Sequence, residues 1–238
     1  MRIIRGRFGR RKLLSNPGDT TRPITDKVKE SLFEYLEDEL QGARVADVFA
    51  GTGTIGLESL SRGANSIVFF ERDRKAVELL RKNVATLKVE EETLCWATDV
   101  MKTSFRPKNC EGMTPFDIAF FDPPYRMVQD IVPGKLLFKS LERLAREDVT
   151  SENALLVFRT PSRAVFQLPE VWEPERKLEY SRMEVHWFRK KALPVGDQPG
   201  ETAAQTVSQD EEEEVTGDTT PISNGDPGES GSTPEICE

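Results

Sequence analysis

The sequence predicts an α/β protein built on a doubly wound, Rossmann-like sheet, and three observations predict it. Short apolar runs alternate with amphipathic stretches of helical length, the order that makes a parallel sheet with helices on both faces. A glycine-rich turn, DVFAGTGTIG from Asp47 to Gly56, joins the first such run to the helix after it. The first four runs carry acids at or near their ends, Asp47, Glu71, Asp99 and Asp122. In such a sheet those ends share one rim, where ligands bind.

The elements follow in order. Thr25 or Asp26 caps a first helix with apolar positions Val28, Leu32, Tyr35 and Leu36. Arg44–Phe49 is a strand, Thr54–Ser61 a helix stopped by Gly63, and Ser66–Phe70 a strand ending at Glu71. Asp73–Leu87 is a helix with Ala76, Leu79, Leu80, Val84 and Leu87 inward. Thr93–Thr98 and Phe116–Phe121 are strands, Gly134–Arg146 a helix and Ala154–Arg159 a strand. Leu178–Ser181 and Glu184–Arg189 close the chain as an antiparallel pair, which brings the sheet to seven strands.

Charge divides the chain. Of 238 residues, 33 are Lys or Arg and 41 are Asp or Glu, a net of −8. Residues 192–238 hold 12 of the acids and no base. The rest therefore carries 33 bases against 29 acids, a net of +4. The acidic stretch, rich in Gly, Pro, Ser and Thr, buries too little apolar surface to order itself and is expected to be a disordered tail. The first 12 residues hold six bases and no acid. Ile3, Ile4, Phe8, Leu13 and Leu14 interleave with that charge, so residues 1–21 are expected to form a small basic hairpin around Gly6 and Gly9. Arg5, Arg7, Arg10, Arg11, Lys12 and Arg22 are candidate contacts to a phosphate backbone. The domain proper is expected over 22–191.

Composition also excludes chemistries. A single histidine, His186, cannot build a multi-histidine metal site, and it sits in a strand-like alternation that reads as structural. Three scattered cysteines show neither a disulfide framework nor metal spacing. No metal ligand set is expected. No apolar run is long enough to span a membrane and no apolar stretch follows the basic start, so a cytoplasmic monomer is expected.

Gly51-x-Gly53-x-x-Gly56 fits a nucleotide-binding turn, and Glu71 stands 20 residues past Gly51, where an acid for ribose hydroxyls is expected. Two acids favour S-adenosylmethionine over a nicotinamide dinucleotide. Asp47, ahead of the glycines, suits an ammonium group and not a pyrophosphate. Asp99, after the third strand, suits an adenine amine. The candidate cofactor contacts are therefore Asp47, Phe49, Ala50, Gly51, Thr52, Gly53, Glu71, Arg72, Asp99 and Val100. The fourth strand ends in Asp122-Pro123-Pro124-Tyr125. An exocyclic base amine is a poor nucleophile because its lone pair is delocalised into the ring. Two acceptors for its N–H groups, the Asp122 carboxylate and the Pro123 carbonyl, draw the nitrogen towards tetrahedral geometry. Proline fixes φ and donates nothing, so that carbonyl is aimed in advance. Tyr125 offers a stacking face for a flipped base. The four resemble the (Asp/Asn)-Pro-Pro-(Tyr/Phe) motif of amino-group methyltransferases and are the candidate catalytic residues.

With "MRIIRGRFGRRKL", "RPITDKVKESLF" (22–33), "DVFAGTGTIGLESLSRGA" (47–64), "FERD" (70–73) and "DPPY" (122–125), the chain resembles the RsmD-type methyltransferases that act on guanine N2 of bacterial 16S ribosomal RNA. The resemblance implies S-adenosylmethionine as methyl donor and small-subunit rRNA, in an assembled or assembling subunit, as substrate. It also makes Thr25 and Asp26 candidate cofactor contacts. It implies a glycine in the last turn, where this chain has Tyr180-Ser181-Arg182-Met183, and it gives Lys102–Thr114 no counterpart. The alternatives are an adenine-N6 methyltransferase on DNA or RNA, a protein-glutamine methyltransferase, for which Asn would be expected in place of Asp122, a non-catalytic RNA-binding ribosome assembly factor, and a nicotinamide-dependent oxidoreductase.

Overall fold

The computed structural model describes residues 1–15, 25–108, 110 and 112–192. Arg22 and nearly all of the acidic tail lie outside them. Helix α1 (Asp26–Glu34) precedes β1 (Arg44–Val48), α2 (Thr54–Ser61), β2 (Ser66–Glu71), α3 (Arg74–Leu87) and β3 (Thr93–Ala97). There follow β4 (Phe116–Phe121), α4 (Tyr125–Val128), α5 (Leu136–Leu144), β5 (Thr150–Pro161), β6 (Trp172–Tyr180) and β7 (Met183–Lys190). The strands form one seven-stranded sheet in the order β3-β2-β1-β4-β5-β7-β6. The first five run parallel, and β7 and β6 are antiparallel to their neighbours.

Strand side chains alternate between two buried layers. Val45, Ile67, Phe69, Ile118, Phe120 and Leu155 pack with α1, α2 and α3 on one face. Ala46, Val68, Phe70, Phe121, Leu156 and Phe158 pack with α5 on the other. Phe105 is fully buried in that second layer and anchors the described residues next to it. His186 lies among Phe158, Phe166 and Phe188, and burial lowers its pKa against the pull of Glu184. It is a neutral packing residue.

The N-terminal arm is a hairpin whose Arg2 and Lys12 pair across it, with Ile3 and Leu13 inserted in the first layer. Gly6 sits at φ +81°, where an added Cβ would lie 1.7 Å from the Ser61 carbonyl oxygen, so only glycine lets the arm meet the end of α2. Glu58, fully buried on α2, accepts the backbone N–H groups of Ile4 and Arg5 (2.7 and 3.1 Å). It also pairs with Lys29 of α1 (3.1 Å) and with Arg62 (2.8 Å).

Several elements differ from expectation, each for a physical reason. β6 begins six residues earlier than Leu178, because Glu173, Pro174, Glu175, Arg176 and Lys177 are exposed on an edge strand with no apolar alternation to mark them. Pro174 falls at a register shift, a site an edge tolerates. β5 is longer than Ala154–Arg159 and carries an irregularity between its pairings at Thr150 and Leu155. α4 is a single turn, too short for periodicity. Tyr35, expected inward, is 45% exposed beneath Arg176, while Lys29 takes an inward place against Glu58. Leu79 is half-buried, and Val77 and Asn83 join the inner face of α3. Ser181-Arg182 connects β6 to β7 as a two-residue turn without glycine.

Candidate active site

The sheet order sets the C-terminal ends of β3, β2, β1, β4 and β5 side by side, with ~4.8 Å between neighbours. Asp99, Glu71, the glycine turn, Asp122 and Arg159 thus follow one another along the rim. The chain winds outward from β1 through β2 to β3 and returns to β4 on the other side of β1. The crevice between β1 and β4 is the switch point where such sheets take ligands.

The glycine turn is shaped by its backbone. Phe49, Gly51 and Gly53 have φ of 67°, 56° and 82°. A Cβ on Gly56 would stand 2.3 Å from the Phe69 ring, so that glycine lets α2 pack on β2. A Cβ on Gly51 would meet nothing within 4 Å, so its open side faces the rim. Asn83 of α3 braces the turn from below by donating to the Thr52 carbonyl (2.9 Å) and exchanging hydrogen bonds with the backbone of Leu14. Phe49 packs its ring edge-on against Phe121.

Asp47 is 2% exposed and accepts the Gly56 N–H at 2.8 Å. Burial pushes its carboxyl up to about 7, with Asp122 and Glu71 adding to the rise and the Gly56 N–H and Arg159 opposing it. The sign follows. Between the ordinary value of 3.8 and about 7 the folded chain holds a proton that the unfolded chain has released. Stability therefore falls as pH rises through that window and levels off above it, by at most ~4 kcal/mol. Asp47→Asn is expected to flatten this slope in denaturant titrations across the window; an unchanged slope would assign it to another group.

Glu71 accepts the Gly51 N–H on one oxygen and the Arg72 and Asp73 N–H groups on the other, each at 2.8 Å. Its carboxylate is thereby pinned where the turn meets β2. Asp99 accepts the Met101 N–H at 3.0 Å and lies 3.8 Å from Arg72. The Val100 carbonyl beside it accepts from Ser140 (2.8 Å) and Arg143 (3.2 Å), and Arg143 also holds the carbonyls of Met101 and Thr103. Arg143 thus fixes the segment that carries Asp99.

At the end of β4 the Asp122 N–H donates to the Val48 carbonyl at 3.2 Å, so Asp122 stands beside the glycine turn. Pro124 caps α4, which starts at Tyr125. Both Asp122 oxygens are held by Arg159 of β5: Nε donates to Oδ1 at 2.8 Å and Nη2 to Oδ2. Arg159 keeps its charge more firmly than an ordinary arginine, because Asp122 and Tyr125 outweigh the cost of its burial. Nothing local in the sequence marks Arg159, Arg143 or Asn83, since each acts on a residue at least 31 positions away.

The remaining candidates lie at the start of α1 and on the N-terminal arm. Thr25 caps α1 through the Val28 N–H, and Asp26 pairs with Arg2, so both side chains secure the arm and α1. On the arm, Arg5 pairs with Glu30 and Arg7 with Glu92. Arg10, Arg11 and Lys12 are exposed and make no ion pair among the described residues. Among the described residues no group of three His, Cys, Asp or Glu could hold a metal, and no helix is long and apolar enough to cross a membrane.

A parallel sheet reversed at β1/β4, a glycine turn after β1, acids after β2 and β3, and Asp-Pro-Pro-Tyr after β4 define a Rossmann-like methyltransferase. The model of the family described as conserved hypothetical protein 95 matches residues 1–189. The chain belongs to that family, which is the family of the RsmD-type ribosomal RNA methyltransferases. It is 32% identical over 174 residues to the ribosomal RNA small subunit methyltransferase D of Haemophilus influenzae, covering 72% of this chain and 84% of that protein. The Escherichia coli K12 protein of the same name is 38% identical over 126 residues, 53% of this chain and 61% of its own. The solved structure of yhhF from Escherichia coli matches with a TM-score of 0.66 at 30% identity, covering 81% of this chain and 98% of that one.

Proposed function

We propose that the chain transfers a methyl group from S-adenosylmethionine to the exocyclic N2 amine of a guanine in small-subunit ribosomal RNA, within an assembled or assembling subunit in the cytoplasm. The observation that carries this reading is the meeting of Asp122 with the glycine turn at the β1/β4 crevice. The names of the relatives support rRNA as substrate, and the RsmD resemblance supports guanine N2.

The residues on the rim fit the cofactor. Gly51 leaves its backbone open to a ligand, and the buried Thr52 hydroxyl has no hydrogen-bond partner, a deficit a polar ligand would relieve. In this reading Glu71 takes the ribose hydroxyls, Asp99 and Val100 the adenine, and Asp47 stabilises the ammonium end from beneath the turn. Phe49, Ala50, Gly53 and Arg72 line the same path, and Thr25 and Asp26 are further candidate contacts from the start of α1. When bound, the cofactor supplies an electrophilic methyl group on a sulfonium. Asp122 and the Pro123 carbonyl accept the N–H groups of the target amine and restore its lone pair, while Pro124 keeps that geometry rigid. Tyr125 stacks on the base, worth ~1–3 kcal/mol. The proton that the amine sheds leaves by way of Asp122 or to water. Residues 22–191 carry the chemistry, 1–21 grip RNA, and 192–238 act as a solubilising acidic extension.

Calorimetric titration tests the cofactor: S-adenosylhomocysteine is expected to bind and NAD to leave no signal, and the reverse would contradict the reading. The arm gives a second test. Arg10, Arg11 and Lys12 replaced by glutamine are expected to weaken rRNA binding and lower the log–log salt slope by about 2–3. Glutamine at Arg5 and Arg7 is expected to lower it less, since each must leave an acidic partner. A slope unchanged by all five would show that the arm is no phosphate contact.

A further inference from the structure

The pairing of Phe121 with Phe158 across β4 and β5 makes Asp122 and Arg159 the next residues on two adjacent parallel strands. There the guanidinium grips the carboxylate with two prongs, Nε to Oδ1 and Nη2 to Oδ2. The side chains are only 15% and 25% exposed, and Arg159 Nη1 is buried with no acceptor. A desolvated pair that also leaves a donor unmet adds little net stability, because the cost of removing both ions from water offsets their attraction. What a fork does supply is direction. A planar guanidinium bound through two nitrogens stops the carboxylate from rotating and occupies the lone pairs that face it. The lone pairs on the far side of each oxygen remain for another donor.

Building on the methyl-transfer reading, we propose that Arg159 is a positioning residue for catalysis: it locks Asp122 in the orientation that accepts the target amine. Its charge also compensates the crowding of Asp122, Asp47 and Glu71 at one crevice. Arg159 acts through Asp122 and needs no contact with the cofactor. Its effect therefore belongs in turnover and not in cofactor affinity.

The test is a double-mutant cycle on the full chain, with undermethylated small subunits as substrate. Arg159→Met is expected to lower kcat at least ~10-fold while S-adenosylhomocysteine affinity and KM for the subunit stay within about threefold. In an Asp122→Asn background the same change is expected to cost almost nothing more, because the group it positions is already lost. Arg159→Lys keeps the charge and loses the fork, so it is expected to fall between wild type and Arg159→Met; it also supplies the reading if the methionine variant does not fold. Full turnover in Arg159→Met, or losses that simply add in the double variant, would overturn the inference. A wild type that methylates nothing would overturn the proposed function, and this inference with it, and is told apart by that control alone.

Discussion

Asp122→Asn is expected to lower the turnover number by about 10²–10³-fold, the cost of removing one preorganised electrostatic contact to a reacting group. Asparagine keeps the size of the side chain and one acceptor oxygen. It loses the charge, and its NH₂ group turns a donor towards Arg159, which offers only donors. The carboxamide must then rotate or break one prong of the fork, so the amine meets a weaker acceptor in the wrong place. S-adenosylhomocysteine affinity is expected to stay within about threefold, because the contacts proposed for the cofactor follow β1, β2 and β3 and not β4. Asparagine is a cleaner probe than alanine, which would strand the guanidinium of Arg159 in a largely buried site. Single-turnover kinetics and a binding isotherm on one preparation decide the matter. Equal loss of transfer and of cofactor binding would make Asp122 a cofactor or structural residue.

The largest expected effect on stability comes from Glu58→Ala. The carboxylate is fully buried and accepts four donors: two backbone N–H groups of the arm, Lys29 and Arg62. Its removal leaves the Lys29 ammonium, whose side chain is 2% exposed, without its countercharge, although Nζ keeps the Arg2 carbonyl at 2.5 Å. Burial already lowers the pKa of Lys29, and Glu58 is what opposes that fall. Breaking a buried pair from one side costs about 3–5 kcal/mol. Denaturant unfolding should show that loss, and protease cleavage at Arg5 and Arg7 should accelerate as the arm lifts from α2. Stability within about 1 kcal/mol of wild type would mean that the arm is held by its apolar residues alone.

These two residues mark the boundary of what the sequence makes legible. Asp122 announces itself because its meaning is local: an acid, two prolines and an aromatic at the end of an apolar run. The glycine turn, Glu71 and Asp99 are legible for the same reason, and so is the alternation that places β1, β2 and β4 between two layers. Glu58 and Lys29 look like ordinary helix surface charges until the arm covers them. Arg159 follows an apolar run as a single charge, as in many strands, and gains its role only from the β4–β5 pairing. β6 hides because an exposed edge strand has no apolar face to alternate. Thr25 and Asp26 carry structural work that their neighbours in the chain do not announce: their side chains cap α1 and pair with Arg2. Pattern reports what a residue does for its neighbours in the chain, and the sheet decides which distant residues it meets.

Nucleoside mass spectrometry tests the central claim most directly. Small ribosomal subunits lacking the modification would be incubated with the protein and isotope-labelled S-adenosylmethionine, then digested to nucleosides. The expected product is labelled N2-methylguanosine, formed at a rate about 10²–10³-fold lower when Asp122→Asn replaces the wild type. Labelled N6-methyladenosine would keep the chemistry of Asp-Pro-Pro-Tyr and contradict the substrate, and no label in the RNA would contradict the proposed function itself.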